Sequence, residues 1–187
     1  MTAPHFTLDD VLITGELRKR AGRYDSSAEQ RSLESLAAVV VDGKEAILKA
    51  VCALALVCSD AGSAGVSVLL EPEETGFSWD ALSGRFSPYL FGRAPRYDSP
   101  CGVTVDKGKT QLFSHPERYF SWMKASGIPI VEGLVIPLFQ GNRRPFGSLW
   151  VMTHAEEARK FSSADAELLT RLGDHAAAAI QVSEQQR

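Results

Sequence analysis

The sequence lacks the features that mark nucleic-acid-binding, membrane and secreted proteins. It has no long run of charge of one sign, and a formal net charge of -3 with a pI near 5.8 gives no electrostatic footprint for nucleic acid. The longest apolar stretch without charge, Ala50 to Ser59, is far too short to span a bilayer. Met1 to Arg20 mixes acids and bases and contains no apolar stretch like that of a signal peptide. We therefore expect no nucleic-acid or membrane partner and, by default, a cytoplasmic location.

Cysteine is scarce, and the motifs of common catalytic and metal sites are absent. The three cysteines, Cys52, Cys58 and Cys101, form no CxxC pair and have no histidine at metal-ligand spacing. His115 and His154 lack a second ligand at useful spacing, which favours exposed or loop-bonding histidines over haem or metal ligands. No Ser-His-Asp order, P-loop, paired-carboxylate site or glycine-rich dinucleotide turn is present. The sequence predicts reduced thiols, no metal site and no enzymatic activity.

The composition is that of one globular domain with an extension. A chain of 187 residues with 44% hydrophobic residues can bury a single sizeable core. Residues 1–26 hold a short apolar patch, Val11 to Ile13, a basic triplet, Arg18 to Arg20, and a breaker at Gly22. We interpret this stretch as an arm that packs on the domain formed by residues 27–187.

Two helices are predicted after the arm. The first runs from Ser27 to about Gly43, with Ser26 and Glu29 as a capping pair. The second runs from Lys44 to Ser59. The apolar residues that recur at helical spacing are Leu33, Leu36, Ala37 and Val40 in the first helix and Ile47, Val51, Leu54, Ala55 and Cys58 in the second.

Two β-hairpins and a final helix follow. Residues 64–71 and 76–82 predict one hairpin, and residues 135–139 and 146–153, separated by a polar break, predict a second at the centre of the sheet. A helix then begins near Phe161, with Ser162 or Ser163 as its cap. Its apolar face consists of Leu169, Leu172, Ala176, Ala179 and Ile180, and Gly173 with its neighbouring alanines would allow close helix–helix approach.

Residues 85–130 have no clear periodicity and are interrupted by five prolines. We predict a small strand at residues 110–113 and a short helix at residues 118–125 within this insertion. Its many aromatic residues argue against disorder and favour a binding or lid region. The whole pattern predicts an α+β fold: a mostly antiparallel sheet of five to six strands, with the terminal helices on one face and the insertion on the other.

This order of segments resembles that of a GAF domain over roughly residues 32–182. The motifs that carry the resemblance are Ala64 to Leu70 after a helix, Phe77-Ser78-Trp79, Pro137 in the penultimate strand, Gly147 to Val151 in the last strand, and Phe161 to Leu169 at the final helix. Pro95 to Gly102 and Pro116 to Phe120 further resemble a bacterial subgroup that stands alone or at the start of sensor histidine kinases.

The resemblance implies a non-enzymatic sensory domain in signal transduction. It would bind an unknown small molecule between sheet and insertion, form a parallel homodimer through its end helices, and act on a histidine kinase or another output domain. Two alternatives stay open: a structural dimerisation module without a ligand, and a redox enzyme acting through Cys101. The residues expected at the dimer interface are Leu36, Val40, Leu48, Leu172, Ala176 and Ala179.

Eleven residues are candidates for the ligand pocket. Arg96 and Arg118 could hold a carboxylate or phosphate, or pair with Asp98 and Glu117. Glu132 could be a polar pocket residue or lie at a solvated strand edge. The two strand tryptophans belong to the core or to a pocket floor. The candidates are Trp79, Arg96, Ser99, Cys101, Phe113, Arg118, Tyr119, Phe120, Trp122, Glu132 and Trp150.

Cys101 lies where GAF domains of the phytochrome type attach a bilin. Those domains have a histidine directly after the attachment cysteine, whereas Gly102 follows here. We therefore expect no bilin and no other cofactor, and interpret Cys101 as a small buried residue in a tight turn. GAF enzymes of the free methionine-R-sulfoxide reductase type use several pocket cysteines, but Cys52 and Cys58 are distant in sequence, so a resolving partner for Cys101 is not expected.

Overall fold

A six-stranded antiparallel sheet is the middle layer of the computed structural model, which describes residues 5–70, 75–141, 144–157 and 159–185. The strand order is β3-β2-β1-β6-β5-β4, and every neighbouring pair is antiparallel. This confirms the predicted α+β fold. The strands are β1 Ser63–Leu69, β2 Gly76–Gly84, β3 Arg93–Pro95, β4 Gln111–Ser114, β5 Glu132–Phe139 and β6 Pro145–Thr153.

Helices cover one face of the sheet. Helices α3 and α5 pack on the strands, and α2 packs on both of them as an outer layer. The insertion covers the opposite face, together with Leu8, Val11 and Leu12 of the N-terminal segment. The helices are α1 Leu8–Val11, α2 Ser26–Val39, α3 Lys44–Ser59, α4 Pro100–Lys107 and α5 Ser163–Gln185. None of them, in the part of the chain that the structure describes, is long and apolar enough to cross a membrane.

The sheet separates two hydrophobic cores because successive strand residues point to opposite faces. On β6, Leu149 and Val151 belong to the core beneath the helices, whereas Trp150 and Met152 belong to the core beneath the insertion. We call these the helix-side core and the insertion-side core. The predicted β5–β6 hairpin is confirmed, and β6 pairs with β1 in the middle of the sheet.

The helix boundaries agree closely with the sequence pattern, but one predicted cap is wrong. Asp25 caps α2, since its carboxylate accepts hydrogen bonds from the backbone of Ser27 and Ala28 at 3.0 Å. Asp is as good an N-cap as Ser, so the pattern allowed both. At the other end of the chain, Ser162 and Asp165 form the cap of α5 through reciprocal hydrogen bonds.

Most of the residues predicted at a dimer interface lie in the helix-side core of a single chain. Leu36, Leu48, Leu172 and Ala176 are buried there, and Val40 and Ala179 are half-buried. On α3, Leu48 and Cys52 take the buried positions that the pattern gave to Leu54 and Cys58, both of which are half-buried. Dimerisation itself stays a prediction, and its contact surface must be sought among exposed residues.

Gly173 brings α5 close to the sheet and not, as its pattern indicated, close to another helix. A methyl group at this position would lie 2.9 Å from Leu138 Cδ2 on β5. Such a separation is shorter than normal carbon–carbon contact. The small residue therefore sets the depth at which α5 rests on the strands.

The sequence analysis missed three elements of the insertion: β3, α4 and the 3-10 turn Ser87–Tyr89. Strand β3 has only three residues and ends in a proline, so it carries no periodic signal. Helix α4 begins with Ser99 as N-cap and Pro100 at the first position, which is a regular helix-start signal that was interpreted as a tight turn. The helix predicted at residues 118–125 is instead two short 3-10 segments, Pro116–Arg118 and Ser121–Ser126.

The N-terminal segment packs on the edge of the sheet at β4. The Ile13 amide donates to the Leu112 carbonyl at 2.8 Å, and Leu12 pairs with Phe113 as an isolated bridge. Val11 is fully buried. Farther along, Arg20 contacts the buried carboxylate of Glu132 at 2.8 Å. These contacts connect the segment to both the edge and the interior of the sheet.

Candidate functional site

A cavity of about 280 Å³ lies between the sheet and the insertion. Its floor consists of residues from β2, β5 and β6, and its walls come from the loop before β3, the start of α4 and the 3-10 segment Ser121–Ser126. We call it the aromatic cavity. The residues that border it are Trp79, Phe86, Tyr89, Gly92, Arg93, Ala94, Ser99, Pro100, Cys101, Trp122, Met123, Ala125, Ser126, Val135, Trp150 and Met152.

Trp150 forms the floor because the strand next to it leaves room for an indole. Gly65 of β1 lies opposite Trp150, and a methyl group at Gly65 would overlap the indole at Cζ2. The indole Nε1–H donates to Ser67 Oγ at 3.0 Å. The Cys101 thiol donates to the same oxygen at 3.4 Å. The polar atoms of the floor are thus hydrogen-bonded beneath an apolar surface.

Aromatic side chains build the walls by edge and tilted contacts. The ring of Phe86 lies 5.8 Å from that of Trp150 and 6.4 Å from that of Trp79, both edge to face. Trp79 in turn lies 6.4 Å from Trp122. Such pairs stabilise the walls beyond simple burial and leave rigid, flat surfaces.

His154 supports Phe86 from behind and does not enter the cavity. Its ring stacks on Phe86 with centroids 6.1 Å apart. The ring is fully buried, with Nε2 2.8 Å from Ser63 Oγ and Nδ1 2.7 Å from the Pro129 carbonyl oxygen. Of the two roles expected for this histidine, the structure shows the loop-bonding one.

Two hydrogen bonds join the segments around the cavity mouth. The Tyr89 hydroxyl donates to the Ser126 carbonyl at 2.9 Å, and the Trp122 indole N–H donates to the Asp98 carbonyl at 2.6 Å. Both bonds join segments more than 20 residues apart. They hold the 3-10 segment Ser121–Ser126 against the loop before β3 and the loop before α4, so the mouth has a defined shape.

The start of α4 explains why glycine follows Cys101. Ser99 Oγ accepts a hydrogen bond from the Gly102 amide at 3.1 Å and donates to the Pro95 carbonyl at 2.6 Å. A methyl group at Gly102 would overlap the Arg96 carbonyl oxygen. Position 102 therefore has no room for a histidine side chain.

The environment of Cys101 gives it a neutral thiol. Burial raises its pKa above the usual value, outweighing the hydrogen bonds that would stabilise a thiolate. Cys52 lies in the helix-side core, on the other face of the sheet. Cys58 is half-buried on α3, 3.6 Å from Ser32 Oγ. Neither thiol shares the cavity with Cys101.

Five of the eleven predicted pocket residues border the cavity: Trp79, Ser99, Cys101, Trp122 and Trp150. Both strand tryptophans therefore face the insertion. Phe113 and Phe120 are packed in the insertion-side core, and Tyr119 is exposed.

The three charged candidates lie elsewhere. Arg96 is buried and pairs with Asp106 at 2.6 Å, not with Asp98. Arg118 is exposed, 5.6 Å from the ring of Phe6. Glu132 is neither in the cavity nor at a solvated edge, because it is 2% exposed and ion-paired with Arg20.

Several cavity residues were not among the sequence candidates, although some signals existed. Met152 lies two positions after Trp150 on β6, and Val135 is the partner of Trp150 on β5. Period-two alternation and hairpin register place both on the same face as the indole. Phe86, Tyr89 and Met123 carried no such signal, because irregular backbone decides their direction.

No three His, Cys, Asp or Glu side chains in the described residues come together in a way that could hold a metal ion. The cavity is bordered mainly by aromatic rings, methionines and small residues. The arrangement can enclose an apolar molecule.

The family model of the GAF domain matches residues 41–181, and the chain therefore belongs to the GAF domain family. GAF domains are commonly ligand-binding domains of signalling proteins, and most are not enzymes. A comparison with curated protein sequences finds no match.

Solved structures share the fold. The GAF domain of a phosphoenolpyruvate-protein phosphotransferase from Coxiella burnetii has a TM-score of 0.71 at 15% identity, over 87% of this chain and 98% of that one. The second GAF domain of DevS from Mycobacterium smegmatis has a TM-score of 0.65 at 21% identity, over 77% of this chain and 97% of that one. Free methionine-R-sulfoxide reductase from Neisseria meningitidis, in complex with its substrate, has a TM-score of 0.68 at 20% identity, over 89% of this chain and 99% of that one. At these identities the likeness shows the fold alone.

Proposed function

We propose that this chain is a non-enzymatic sensory domain that binds a small molecule in the aromatic cavity and changes the packing of its helices in response. The observation that carries the proposal is the cavity itself, a defined space of about 280 Å³ with rigid aromatic walls. This volume lies between that of a cavity that binds benzene, about 150 Å³, and that of drug-sized pockets. A molecule of about one or two aromatic rings would fill it.

The sheet supplies a physical connection from the cavity to the helices. Trp150 and Met152 of β6 border the cavity, and the alternate residues Leu149 and Val151 pack in the helix-side core. A shift of β6 that accommodates a ligand would therefore move Leu149 and Val151 and change the packing beneath α3 and α5. Such a ligand changes the output only if its affinity differs between the two arrangements of the helices.

We propose that the domain acts as a homodimer through the exposed faces of its helical layer. Four apolar residues on or next to these helices are exposed although water is an unfavourable environment for them. They offer a contact surface in place of the buried residues predicted from the sequence. They are Leu33 at 37%, Val41 at 82%, Val57 at 78% and Val182 at 45% exposure. A histidine kinase or another output domain would be the partner that responds.

A redox activity at Cys101 has less support. The thiol is neutral and buried, and neither Cys52 nor Cys58 lies on its side of the sheet. A catalytic cycle that closes a disulfide would require one of them to cross the sheet. Retention of any reductase activity by a Cys101→Ala variant would exclude this role.

The proposal is tested by blocking the cavity without disturbing the fold. Ala125 borders the mouth and is exposed, so Ala125→Trp should fill the entrance at little cost in stability. A panel of small metabolites is screened by thermal denaturation with the wild type, with this variant, and with Ala155→Trp, an exposed control outside the cavity.

A compound that raises the melting temperature of the wild type and of the control, but not of Ala125→Trp, is the expected result. Binding should also change the sedimentation behaviour of the dimer. If no compound acts, or if stabilisation persists in Ala125→Trp, the sensory proposal fails and a ligandless structural module becomes the better account.

A further inference from the structure

We infer that the aromatic cavity selects a neutral molecule with an apolar body and rejects anions. The inference rests on the proposed function and narrows the chemistry of its ligand. It follows from which charges, side-chain donors and backbone N–H groups the cavity makes available.

Among the residues that the structure describes, one charged residue borders the cavity, Arg93 of strand β3. Arg93 is exposed, and the sheet register indicates where its side chain points. Arg93 lies opposite Ser78 in the sheet, whereas its neighbour Ala94 lies opposite Phe77. Ala94 and Phe77 belong to the insertion-side core, so alternation places the Arg93 side chain on the other face of the sheet. A ligand anion would find no counter-charge.

Four polar side chains that border the cavity, those of Tyr89, Trp122, Ser126 and Trp150, already have partners within the protein. Ser126 Oγ donates to the Met123 carbonyl at 3.0 Å and accepts from the Ile128 amide at 3.2 Å. The Tyr89 hydroxyl donates to the Ser126 carbonyl, and the indole N–H groups of Trp122 and Trp150 donate to protein oxygens. A polar ligand would have to break these bonds to gain its own.

The N-terminus of α4 borders the cavity but offers little to an anion. Pro100 has no N–H, and the amides of Gly102 and Val103 both donate to Ser99, through its hydroxyl and its carbonyl. Only the Cys101 amide is left from the first turn. Anion sites at helix ends depend on several converging N–H groups, and here the cap has used them.

The energetic balance therefore favours an uncharged occupant. An anion that leaves water for an apolar site without a counter-charge loses hydration that the site does not replace. A neutral aromatic body instead gains contact with Trp79, Trp150, Phe86 and the two methionines. The same walls that bind one class of molecule exclude the other.

Two probes of nearly equal shape test the inference: naphthylmethanol, which is neutral, and naphthoate, which is ionised at neutral pH. Binding of each is measured by isothermal titration calorimetry to the wild type, to Ala125→Trp and to Ala155→Trp. We expect naphthylmethanol to bind the wild type and Ala155→Trp, and we expect Ala125→Trp to bind it no longer. Naphthoate should bind at least about 100-fold more weakly.

The outcomes separate the inference from the proposed function. If naphthoate binds as tightly as naphthylmethanol, and Ala125→Trp abolishes both, the cavity is a binding site but the selection for neutral molecules is overturned. If neither probe binds, or if Ala125→Trp binds both like the wild type, the cavity is not a ligand site and the proposed function fails with the inference.

Discussion

Breaking the ion pair between Arg20 and Glu132 on one side should cost the domain several kcal/mol of stability. The Glu132 side chain is 3% exposed, and its carboxylate accepts hydrogen bonds from Arg20 at 2.9 Å and from the Phe161 amide at 3.0 Å. Arg20 also donates to the Phe161 carbonyl at 2.9 Å. The pair thus joins the N-terminal segment, the start of β5 and the residues before α5.

Replacing Arg20 with Met should leave a buried carboxylate without its counter-charge. Breaking a buried pair in this way costs about 3–5 kcal/mol. Arg20 retains some solvent contact, with an 18% exposed side chain, so we expect the lower end, about 3 kcal/mol. For a domain of this size the loss corresponds to a decrease in melting temperature of about 6–12 °C.

Urea denaturation followed by tryptophan fluorescence measures this loss. Arg18→Met is the matched control, because Arg18 is exposed on the same segment, and it should change the free energy of unfolding by less than about 0.5 kcal/mol. The double variant Arg20→Met with Glu132→Gln should recover part of the loss, since no unpaired charge is left. An Arg20→Met variant as stable as Arg18→Met would refute the reasoning.

Three further predictions concern the floor, a buried thiol and the dimer. Gly65→Ala should push Trp150 from its place, shift its fluorescence and cost about 1–3 kcal/mol in urea denaturation; an unshifted spectrum at wild-type stability would contradict the packing. Burial raises the pKa of Cys52 from 9.0 to about 11. The protonated thiol therefore contributes fully to the free energy of unfolding below pH 9, and this contribution is lost as the pH rises to 11. Between pH 9 and pH 11 the free energy of unfolding of the wild type should fall by up to about 1.4 kcal/mol per pH unit more than that of Cys52→Ala. If the free energies of unfolding of the two proteins change equally with pH, the pKa of Cys52 is not raised. If the wild type is a dimer in sedimentation, Val57→Asp should be a folded monomer, whereas Leu172→Asp should unfold the chain. A Val57→Asp variant that stays dimeric would refute the proposed dimer interface.

The regular elements were predictable because their patterns are local. Helix α3 has the predicted boundaries, Lys44 and Ser59, since its apolar residues recur at helical spacing and Gly43 precedes it. Strands β5 and β6 alternate or run apolar between clear turn residues. Their pairing follows from the short polar break between them, so the centre of the sheet could be assigned from sequence.

The cavity was only partly predictable because irregular backbone directs its walls. Trp79 and Trp150 lie on strands, where alternation fixes the face that each side chain points to. Phe86, Tyr89 and Met123 lie in turns and 3-10 segments, where spacing carries no such information. Arg96 was misplaced for a related reason: its partner Asp106 lies on α4, a helix that the sequence analysis had not predicted.

The buried dimer candidates show a different limit. Leu36, Leu48 and Leu172 were recognised correctly as apolar helix positions, but periodicity does not tell burial within one chain from burial against a second. Helix α2 packs on α3 and α5, which in turn pack on the sheet. The middle helices are therefore covered on two sides, and more of their apolar surface is buried within one chain than a single stripe per helix would bury. Positions on the outer faces, such as Val57, become visible only once that packing is known.

Methionine methyl NMR tests the central claim most directly. The chain has three methionines, of which Met123 and Met152 border the aromatic cavity, while Met1 lies outside the described residues and serves as a reference. With methyl-labelled methionine and naphthylmethanol as the probe, the account predicts that the signals of Met123 and Met152 shift together and saturate, while that of Met1 stays unchanged. If the Met123 and Met152 signals do not move, or if all three move alike without saturation, the cavity does not take the molecule and the account is contradicted.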